Sequence, residues 1–373
     1  MPEVHQARRS RLRARVEAAD DGAMLLVSRP ANIRYLAGSA PTGALLLMAS
    51  ATAAGGDVLL VPYGAAQELV GRQGDDGGLR VLPLDGGADP VLAAASLATG
   101  EGVAALAVEE HHLTVARHRA LADAAPRLRL SDLGCAVEQQ RLVKDEGEIA
   151  ALRIAAEITD RALGELLESI LVGRTERHLA LELDRRLVDH GAEGPALPTS
   201  VAAGPHAGLA GHRPTERRVE EGDFLSVRLG ARFHGYGCCI GRTFVIGSAP
   251  DDWQLELYDL VFSAQRAGRE ALVPGAEYRE VDRAARRVIA GAGHGEALGP
   301  LTGRGVGLEI GEDPRLSPAA MGRLTPCVPV TVEPGVHLPG RGGVRIDDTL
   351  VVRSLADGGP ELLTITTKEL LAL

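Results

Sequence analysis

The sequence predicts two domains, an α/β domain followed by a larger domain that mixes helices and strands. With 373 residues, 45% of them hydrophobic, the chain can bury more than one core. Short apolar runs alternate with helical stretches in the first part of the chain, which is typical of an α/β domain. The expected domains are residues 1–143 and 144–373.

Six apolar runs are expected to form the strands of the first domain. They are Met24 to Ser28, Ala44 to Met48, Val58 to Pro62, Leu79 to Leu84, Ala104 to Val108 and Leu128 to Leu130. In the second domain, apolar residues at helical spacing begin at Ile149. Further helices are predicted from Thr175 to Gly191, from Trp253 to Leu272 and from Tyr278 to Ala292.

Charge and hydropathy narrow the functional classes. The formal net charge is −10, so the chain as a whole offers no basic footprint for nucleic acid. The exception is an arginine-rich stretch from Arg8 to Arg15, whose interleaved apolar residues predict a solvated helix with one apolar stripe. No run reaches the roughly eighteen apolar residues that a membrane span needs, and the four cysteines lack zinc-site spacing. We expect a cytoplasmic protein that binds neither nucleic acid nor membrane.

Six sequence blocks follow one another in the second domain. They are HRPT from His212, GDFLSVRLGA from Gly222, GRTF from Gly241, GRGVGLE from Gly303, VEPG from Val332 and GVRIDD from Gly343. In this order the blocks closely resemble the pita-bread family of prolidase, aminopeptidase P, methionine aminopeptidase and creatinase. The segment from Pro30 to Gly38 resembles the N-terminal domain of that family, which methionine aminopeptidases lack. The resemblance implies an α/β N-terminal creatinase-like domain plus an α+β pita-bread C-terminal domain.

Metal-dependent members of this family bind two divalent ions through two Asp, one His and two Glu. The resemblance places those positions at Arg228, Cys239, Arg304, Glu333 and Asp347. Their formal charges sum to about zero, against about minus four for the family's set. Two hard cations need several anionic oxygens, and an arginine has no lone pair to offer a metal. The sequence therefore predicts that the dinuclear metal site is lost, and no cofactor is expected.

The same chemistry gives the arginines a role. A buried carboxylate without a partner costs several kcal/mol, whereas a guanidinium matches a carboxylate in shape and charge. Our hypothesis is that Arg228 and Arg304 replace the metals and clamp Glu333 and Asp347. The alternative is that both arginines point to solvent at the mouth of the cavity. Cys239 is interpreted as an apolar filler or as a nucleophile that the arginines activate.

Further site residues follow from the resemblance alone. His212 matches the substrate-side histidine, which is the proton shuttle of metal-free creatinase. Substrate binding is assigned to Arg34, Arg228, Arg304, Tyr236 and Arg345. Four histidines fall outside the ligand positions and are assigned to the surface or to loops; they are His206, His234, His294 and His337.

Three positions depart from the family pattern. Gly311 and Pro300 stand where the prolidase branch has further histidines, so groups that handle a scissile peptide are missing. Gly241 replaces a carboxylate of creatinase, which puts creatine in doubt as a substrate.

Three functions follow from these observations. The first is a metal-independent, creatinase-like hydrolase, or related C–N bond chemistry, acting on a small carboxylate-bearing substrate. In that function His212 is the acid or base, while Glu333 and Asp347 are catalytic orienting or acid groups. The second is an inactive pseudopeptidase that binds a small molecule, a peptide or a protein partner. The third, ranked last, is an Xaa-Pro metallopeptidase with a rebuilt metal site. The resemblance also implies a homodimer, with a small molecule or short peptide as its ligand.

Overall fold

The computed structural model describes residues 2–17, 22–50, 56–65, 78–169 and 171–373. The chain divides into two compact units, Met1–Arg141 and Leu142–Leu373. No helix within the described ranges is long and apolar enough to cross a membrane.

The first unit is a six-stranded sheet covered by helices. Its strands are β1 (Met24–Val27), β2 (Leu45–Met48), β3 (Asp57–Val61), β4 (Leu79–Pro83), β5 (Ala105–Val108) and β6 (Arg129–Asp132). Its helices are α1 (Pro2–Glu17), α2 (Pro30–Ala37), α3 (Pro90–Gly100), α4 (Val115–Ala124) and α5 (Ala136–Arg141). The strand order is β4-β3-β2-β1-β5-β6, with β1 antiparallel to β2 and parallel to β5. The six predicted strands and the α/β class are confirmed.

Helix α1 is not the solvated helix that its arginines predicted. Arg9 is only 1% exposed, and its Nε donates to Oδ2 of Asp57 at 2.7 Å. Arg13 donates to the other oxygen of Asp57, also at 2.7 Å. The prediction was wrong because the spacing of charges along a helix carries no information about a carboxylate on a distant strand.

The described part of the second unit contains four α-helices and four β-sheets. Its helices are α6 (Glu146–Leu167), α7 (Glu176–Asp189), α8 (Asp252–Glu270) and α9 (Tyr278–Gly291). Its first strands are β7 (Gly194–Pro195), β8 (Ser200–Ala203), β9 (Phe224–Leu229), β10 (Ala231–Phe233), β11 (Tyr236–Gly237) and β12 (Ile240–Val245). The later strands are β13 (Gly303–Gly305), β14 (Glu312–Leu316), β15 (Pro329–Val332), β16 (Gly335–Leu338), β17 (Gly342–Arg345), β18 (Asp348–Val351) and β19 (Glu361–Leu362).

The sheets of the second unit bring distant motif blocks together. Their strand orders are β11-β10-β7, β12-β9-β8, β14-β13-β15-β18-β19 and β16-β17. A β-bridge between Gly241 and Asp347 joins β12 to the turn between β17 and β18. This close approach requires a glycine, because a Cβ on Gly241 would lie 2.6 Å from Cγ of Asp347. The ends of β9, β13, β15 and β17 therefore hold the motif residues.

We expect Arg9→Met to lower the free energy of unfolding of the first unit by about 3–5 kcal/mol, because it leaves a buried Asp57 short of its partner. Urea unfolding of the full chain, followed by circular dichroism, measures the change. Arg11→Met is the matched control on the exposed side of the same helix, and it should change stability by less than about 0.5 kcal/mol. Equal effects of the two substitutions would contradict this account of α1.

Candidate functional site

Three arginines and two carboxylates meet in the second unit, and we call this group the arginine cluster. Its arginines are Arg228 on β9, Arg304 on β13 and Arg345 at the end of β17. Its carboxylates are Glu333, directly after β15, and Asp347, directly before β18. Both carboxylates are buried, with side-chain exposures of 1% and 0%.

Arg228 joins the two carboxylates. Its Nε donates to Oδ2 of Asp347 at 3.0 Å, and its Nη2 donates to Oε2 of Glu333 at 3.1 Å. Burial alone would lower the pKa of Arg228, but Cys239, Asp347 and Glu333 outweigh burial and raise it. The contacts predicted for Arg228 are therefore present.

Arg304 fulfils only half of its predicted role. Its Nε donates to Oε1 of Glu333 at 2.5 Å, and no hydrogen bond joins it to Asp347 within the described part of the chain. Arg345, expected only to bind substrate, makes the second bridge. Its Nε donates to Oδ1 and Oδ2 of Asp347 at 2.8 and 2.7 Å, and its Nη2 donates to Oε2 of Glu333 at 2.8 Å.

The arginine cluster carries a net positive charge. Three guanidinium groups face two carboxylates, so the formal sum is 3 − 2 = +1. Burial opposes ionisation of Glu333, but Arg345, Arg228 and Arg304 together lower its pKa. All four carboxylate oxygens of Glu333 and Asp347 accept hydrogen bonds from guanidinium N–H groups.

Cys239 contributes no charge to the cluster. Its side chain is fully buried, and burial raises the pKa of its thiol to about 12 in spite of Arg228. A thiol held protonated at neutral pH is a poor nucleophile and a poor metal ligand. This favours the interpretation of Cys239 as a filler of the core.

The residues at these positions do not fit the two divalent ions of the metal-dependent relatives. The carboxylate oxygens that would bind ions already accept hydrogen bonds from three cations of the chain itself. A divalent ion here would be repelled by those guanidinium groups and would meet a neutral thiol. Because the carboxylate oxygens that would bind metal ions already accept hydrogen bonds from arginines, no step of the chemistry is assigned to a metal at this cluster.

Arg304 has hydrogen-bonding capacity to spare. Neither Nη1 nor Nη2 of Arg304 donates a hydrogen bond to any of the described residues, and the side chain is 28% exposed. Gly311 lies beside this side chain, since a Cβ there would be in van der Waals contact with Arg304, 3.5 Å from its Cδ. Arg315 is the exposed register partner of Arg304 across β13 and β14. Directly opposite residues share a face of the sheet, so a second guanidinium is carried there.

His337 lies beside the arginine cluster and not at a surface or loop position, as the sequence had suggested. It is half-buried on β16, and the register of β16 and β17 puts it on the same face as Arg345. Nδ1 of His337 lies 3.1 Å from the carbonyl oxygen of Ala207, which can only accept, so the ring donates from Nδ1. Burial and Arg345 lower its pKa against the opposing effects of Ala207 and Asp347. The neutral ring therefore keeps a lone pair on Nε2.

His212 lies in a different group, which we call the histidine cluster: Glu176, His206 and His212. Nε2 of His212 and Nδ1 of His206 each lie 2.9 Å from one oxygen of Glu176. No hydrogen bond or ion pair connects His212 with Glu333 or Asp347 in the described ranges. The hydrogen-bond partner of His212 is thus Glu176, and its role as acid or base stays a prediction. Sequence reasoning missed Glu176, whose only signal is its place after the N-cap Thr175 of α7.

Two predicted substrate-binding residues have other surroundings. The hydroxyl of Tyr236 donates to Oε1 of Glu148 at 2.8 Å. Glu148 belongs to the capping box of α6, in which Asp145 caps its backbone N–H. Tyr236 therefore supports the start of a helix. Arg34 lies on α2 in the first unit, and its assignment to the substrate stays a prediction.

Comparison with known proteins gives the same family for both units. Residues 150–354 match Metallopeptidase family M24, and residues 8–143 match the Creatinase/Prolidase N-terminal domain. The chain is 37% identical over 235 residues to the Xaa-Pro dipeptidase of Pyrococcus horikoshii, a match that spans 63% of this chain and 66% of the relative. It is 33% identical to the probable dipeptidase PepE of Mycobacterium bovis, over 93% of this chain and 92% of the relative.

A solved structure matches the whole length of the chain. The Xaa-Pro dipeptidase from Bacillus anthracis has a TM-score of 0.88 and 30% identity, covering 99% of this chain and 100% of the other. The predicted fold is therefore confirmed for both domains, with a creatinase-like domain first and the pita-bread domain second.

We expect Glu333→Gln to lower the free energy of unfolding at pH 7 by about 3–5 kcal/mol, because three guanidinium groups lose their shared partner. The folded-state pKa of Glu333 lies below its usual value of 4.5. Its contribution to stability is therefore complete above that value and is lost as the pH falls through the folded-state pKa. The gap between wild type and variant should narrow over that acid range.

Urea unfolding of wild type and Glu333→Gln at a series of pH values measures this gap. Glu280→Gln is the control, because Glu280 is 54% exposed and its ion pair with Arg283 is loose, at 3.5 Å. A gap that is below about 1 kcal/mol at pH 7, or that does not change toward acid pH, would refute the role given to Glu333.

Proposed function

Since the chain belongs to metallopeptidase family M24, a class of Xaa-Pro peptidase-type hydrolases, we propose a function for it within that class. This member works without a dinuclear metal centre and binds a small carboxylate-bearing molecule at the arginine cluster. The observation that carries the proposal is the excess of guanidinium groups over carboxylates, together with the free N–H groups of Arg304.

The guanidinium N–H groups that donate no hydrogen bond favour a small anion as the ligand. Nη1 of Arg228 and Nη1 of Arg345 also donate no hydrogen bond within the described ranges. A guanidinium binds a carboxylate through paired N–H groups, and such charge-assisted hydrogen bonds are about twice as strong as neutral ones. A single carboxylate would bring the formal charge of the cluster from +1 to zero. The cluster therefore favours an anion of small size over a cation or a neutral molecule.

Proton transfer at this site is assigned to His337 and not to His212. His337 shares a face of the β16–β17 hairpin with Arg345, and its Nε2 is the lone-pair nitrogen. Glu333 is unsuited as a general acid, since its arginine partners lower its pKa. A neutral histidine next to a bound carboxylate can accept a proton from water or from the ligand.

We expect Arg304→Met to weaken the binding of a small carboxylate by about 10–100-fold, because a hydrogen bond to a charged group contributes about 1.5–3 kcal/mol. Isothermal titration calorimetry with proline, succinate and Gly-Pro measures the affinity. Arg323→Met removes an exposed arginine that pairs with Glu277, and it should leave the affinity unchanged. If no carboxylate of the set binds, or if Arg304→Met binds as tightly as wild type, the proposed ligand class is wrong.

Binding of that carboxylate should raise the pKa of His337, because a nearby anion favours the imidazolium form. NMR titration of the histidine ring signals, with and without the ligand, gives the change. His178 serves as the internal control, since it is an exposed histidine on α7. A ligand that shifts the titration of His212 but not that of His337 would overturn the assignment of His337.

A second candidate function is hydrolysis of Xaa-Pro dipeptides, which the relatives favour. A variant that carries the family's metal ligands distinguishes it from the first function. The restored variant carries Arg228→Asp, Cys239→Asp, Arg304→His and Asp347→Glu. We expect it to bind Mn²⁺ at this cluster, whereas the wild type does not, because the substitutions replace two cations and a thiol by metal ligands. Calorimetric titration with Mn²⁺ and an Ala-Pro hydrolysis assay test both proteins. Mn²⁺-dependent hydrolysis by the wild type would establish the second function.

A further inference from the structure

The histidine cluster has the ligand set of a metal site, at residues that the family's five metal positions do not include. We propose that Glu176, His206 and His212 bind one divalent transition-metal ion, with Zn²⁺ as the best match. The proposal does not rest on the function assigned to the arginine cluster.

The donor atoms of the three side chains already converge. The ring nitrogens of His206 and His212 lie 2.9 Å from the two oxygens of Glu176, and all the donor atoms lie within 4.8 Å of one another. The two imidazole rings are 4.5 Å apart between centroids. A tetrahedral Zn²⁺ at about 2.1 Å from each ligand needs donor atoms about 3.4 Å apart. Small rotations of the half-exposed His206 would provide this spacing.

Glu176 is a buried carboxylate without a Lys or Arg partner among the described residues. Its side chain is 0% exposed, and its hydrogen bonds come from the backbone and from neutral or titratable groups of Ala203, Thr215, His206 and His212. A buried negative charge is strongly stabilised by a cation in contact with it. A bound metal ion would supply that positive charge.

The surroundings of Glu176 resemble the outer shell of a metal site. The N–H of Ala203 donates to Oε1 at 2.8 Å, and the hydroxyl of Thr215 donates to Oε2 at 2.7 Å. Such outer hydrogen bonds orient a carboxylate ligand and are worth about 10–100-fold in metal affinity. They would remain in place while the two histidines turn from the carboxylate to the ion.

The loop that carries both histidines is held by two tightly packed glycines. A Cβ on Gly204, whose φ is +53°, would lie 2.3 Å from Oδ1 of Asp223. A Cβ on Gly208 would lie 2.2 Å from the carbonyl oxygen of Leu338. Since no side chain fits at either position, the loop backbone packs closely against its neighbours and is held in place before a ligand arrives, while the side chains of the two histidines can still turn.

Metal binding balances without a change in the protonation of the rings. An imidazole that binds an ion through one ring nitrogen carries its proton on the other, so binding through the nitrogens that face Glu176 needs only the corresponding tautomer of each ring. The nitrogens that then bind the ion are Nδ1 of His206 and Nε2 of His212. Two histidines and one glutamate are a known zinc ligand set that leaves a fourth position for water. His206, with 30% exposure, gives solvent access to that position.

The test is calorimetric titration of the full-length protein with ZnCl₂ after removal of metals by a chelator. We expect one Zn²⁺ per chain, and at least tenfold weaker binding in both His206→Asn and His212→Asn. His178→Asn is the matched control, because His178 is an exposed histidine on the same helix α7 with only a 4.0 Å contact to Glu182. Zn²⁺ binding that is absent from wild type, or equal in wild type and both cluster variants, would overturn the proposal.

Cobalt spectroscopy of the wild type keeps the test valid if a variant fails to fold. Co²⁺ in a tetrahedral nitrogen and oxygen site gives visible d–d bands without a thiolate charge-transfer band. That spectrum supports the histidine cluster, whereas a thiolate band would place the ion at a cysteine, such as the exposed Cys135 in its group with His111 and Glu138, and would contradict the proposal. Because the carboxylate titrations and the restored Mn²⁺ ligands concern the arginine cluster alone, failure of one proposal leaves the other intact.

Discussion

The second unit depends on one constraint: the buried carboxylates Glu333 and Asp347 must be paired with positive charges. Both carboxylates are almost fully buried, and they follow different strands. Buried charges must be neutralised where they lie. In the metal-dependent relatives that the sequence resembles, divalent ions meet this need, whereas here three guanidinium groups of the chain do so. The stability that a metalloprotein draws from its ion therefore belongs to the polypeptide itself.

The proposed replacement of ions by guanidinium groups would give this site a different chemistry. A dinuclear site is a strong electrophile that activates water, while the arginine cluster is a fixed positive surface with a protonated thiol and a neutral histidine beside it. Such a surface selects and orients anions. The loop that contacts His337 through Ala207 also carries His206. Occupation of the histidine cluster would thus act on a segment that also contacts His337.

Much of this arrangement could be predicted from the sequence, and the limits have physical causes. Apolar runs located the first sheet, and ordered motif blocks located the carboxylates and Arg228, because ladder registers fix strand residues in space. Arg345 was assigned to substrate because a local motif does not show which partners lie opposite. The contact of His212 with Glu176 was not predicted, because Glu176 lies 36 residues away on another element. Loop side chains are positioned by such distant contacts, which periodicity does not encode.

The most direct test of the central claim is anomalous diffraction from crystals of the wild-type protein grown with Mn²⁺. If guanidinium groups have replaced the metals, no anomalous peak will lie within about 2.2 Å of the carboxylate oxygens of Glu333 and Asp347, and Arg228 will bridge the two side chains. One or two peaks at those oxygens, with the arginines turned toward solvent, would contradict the claim and would make the protein a metallopeptidase with an unfamiliar ligand set.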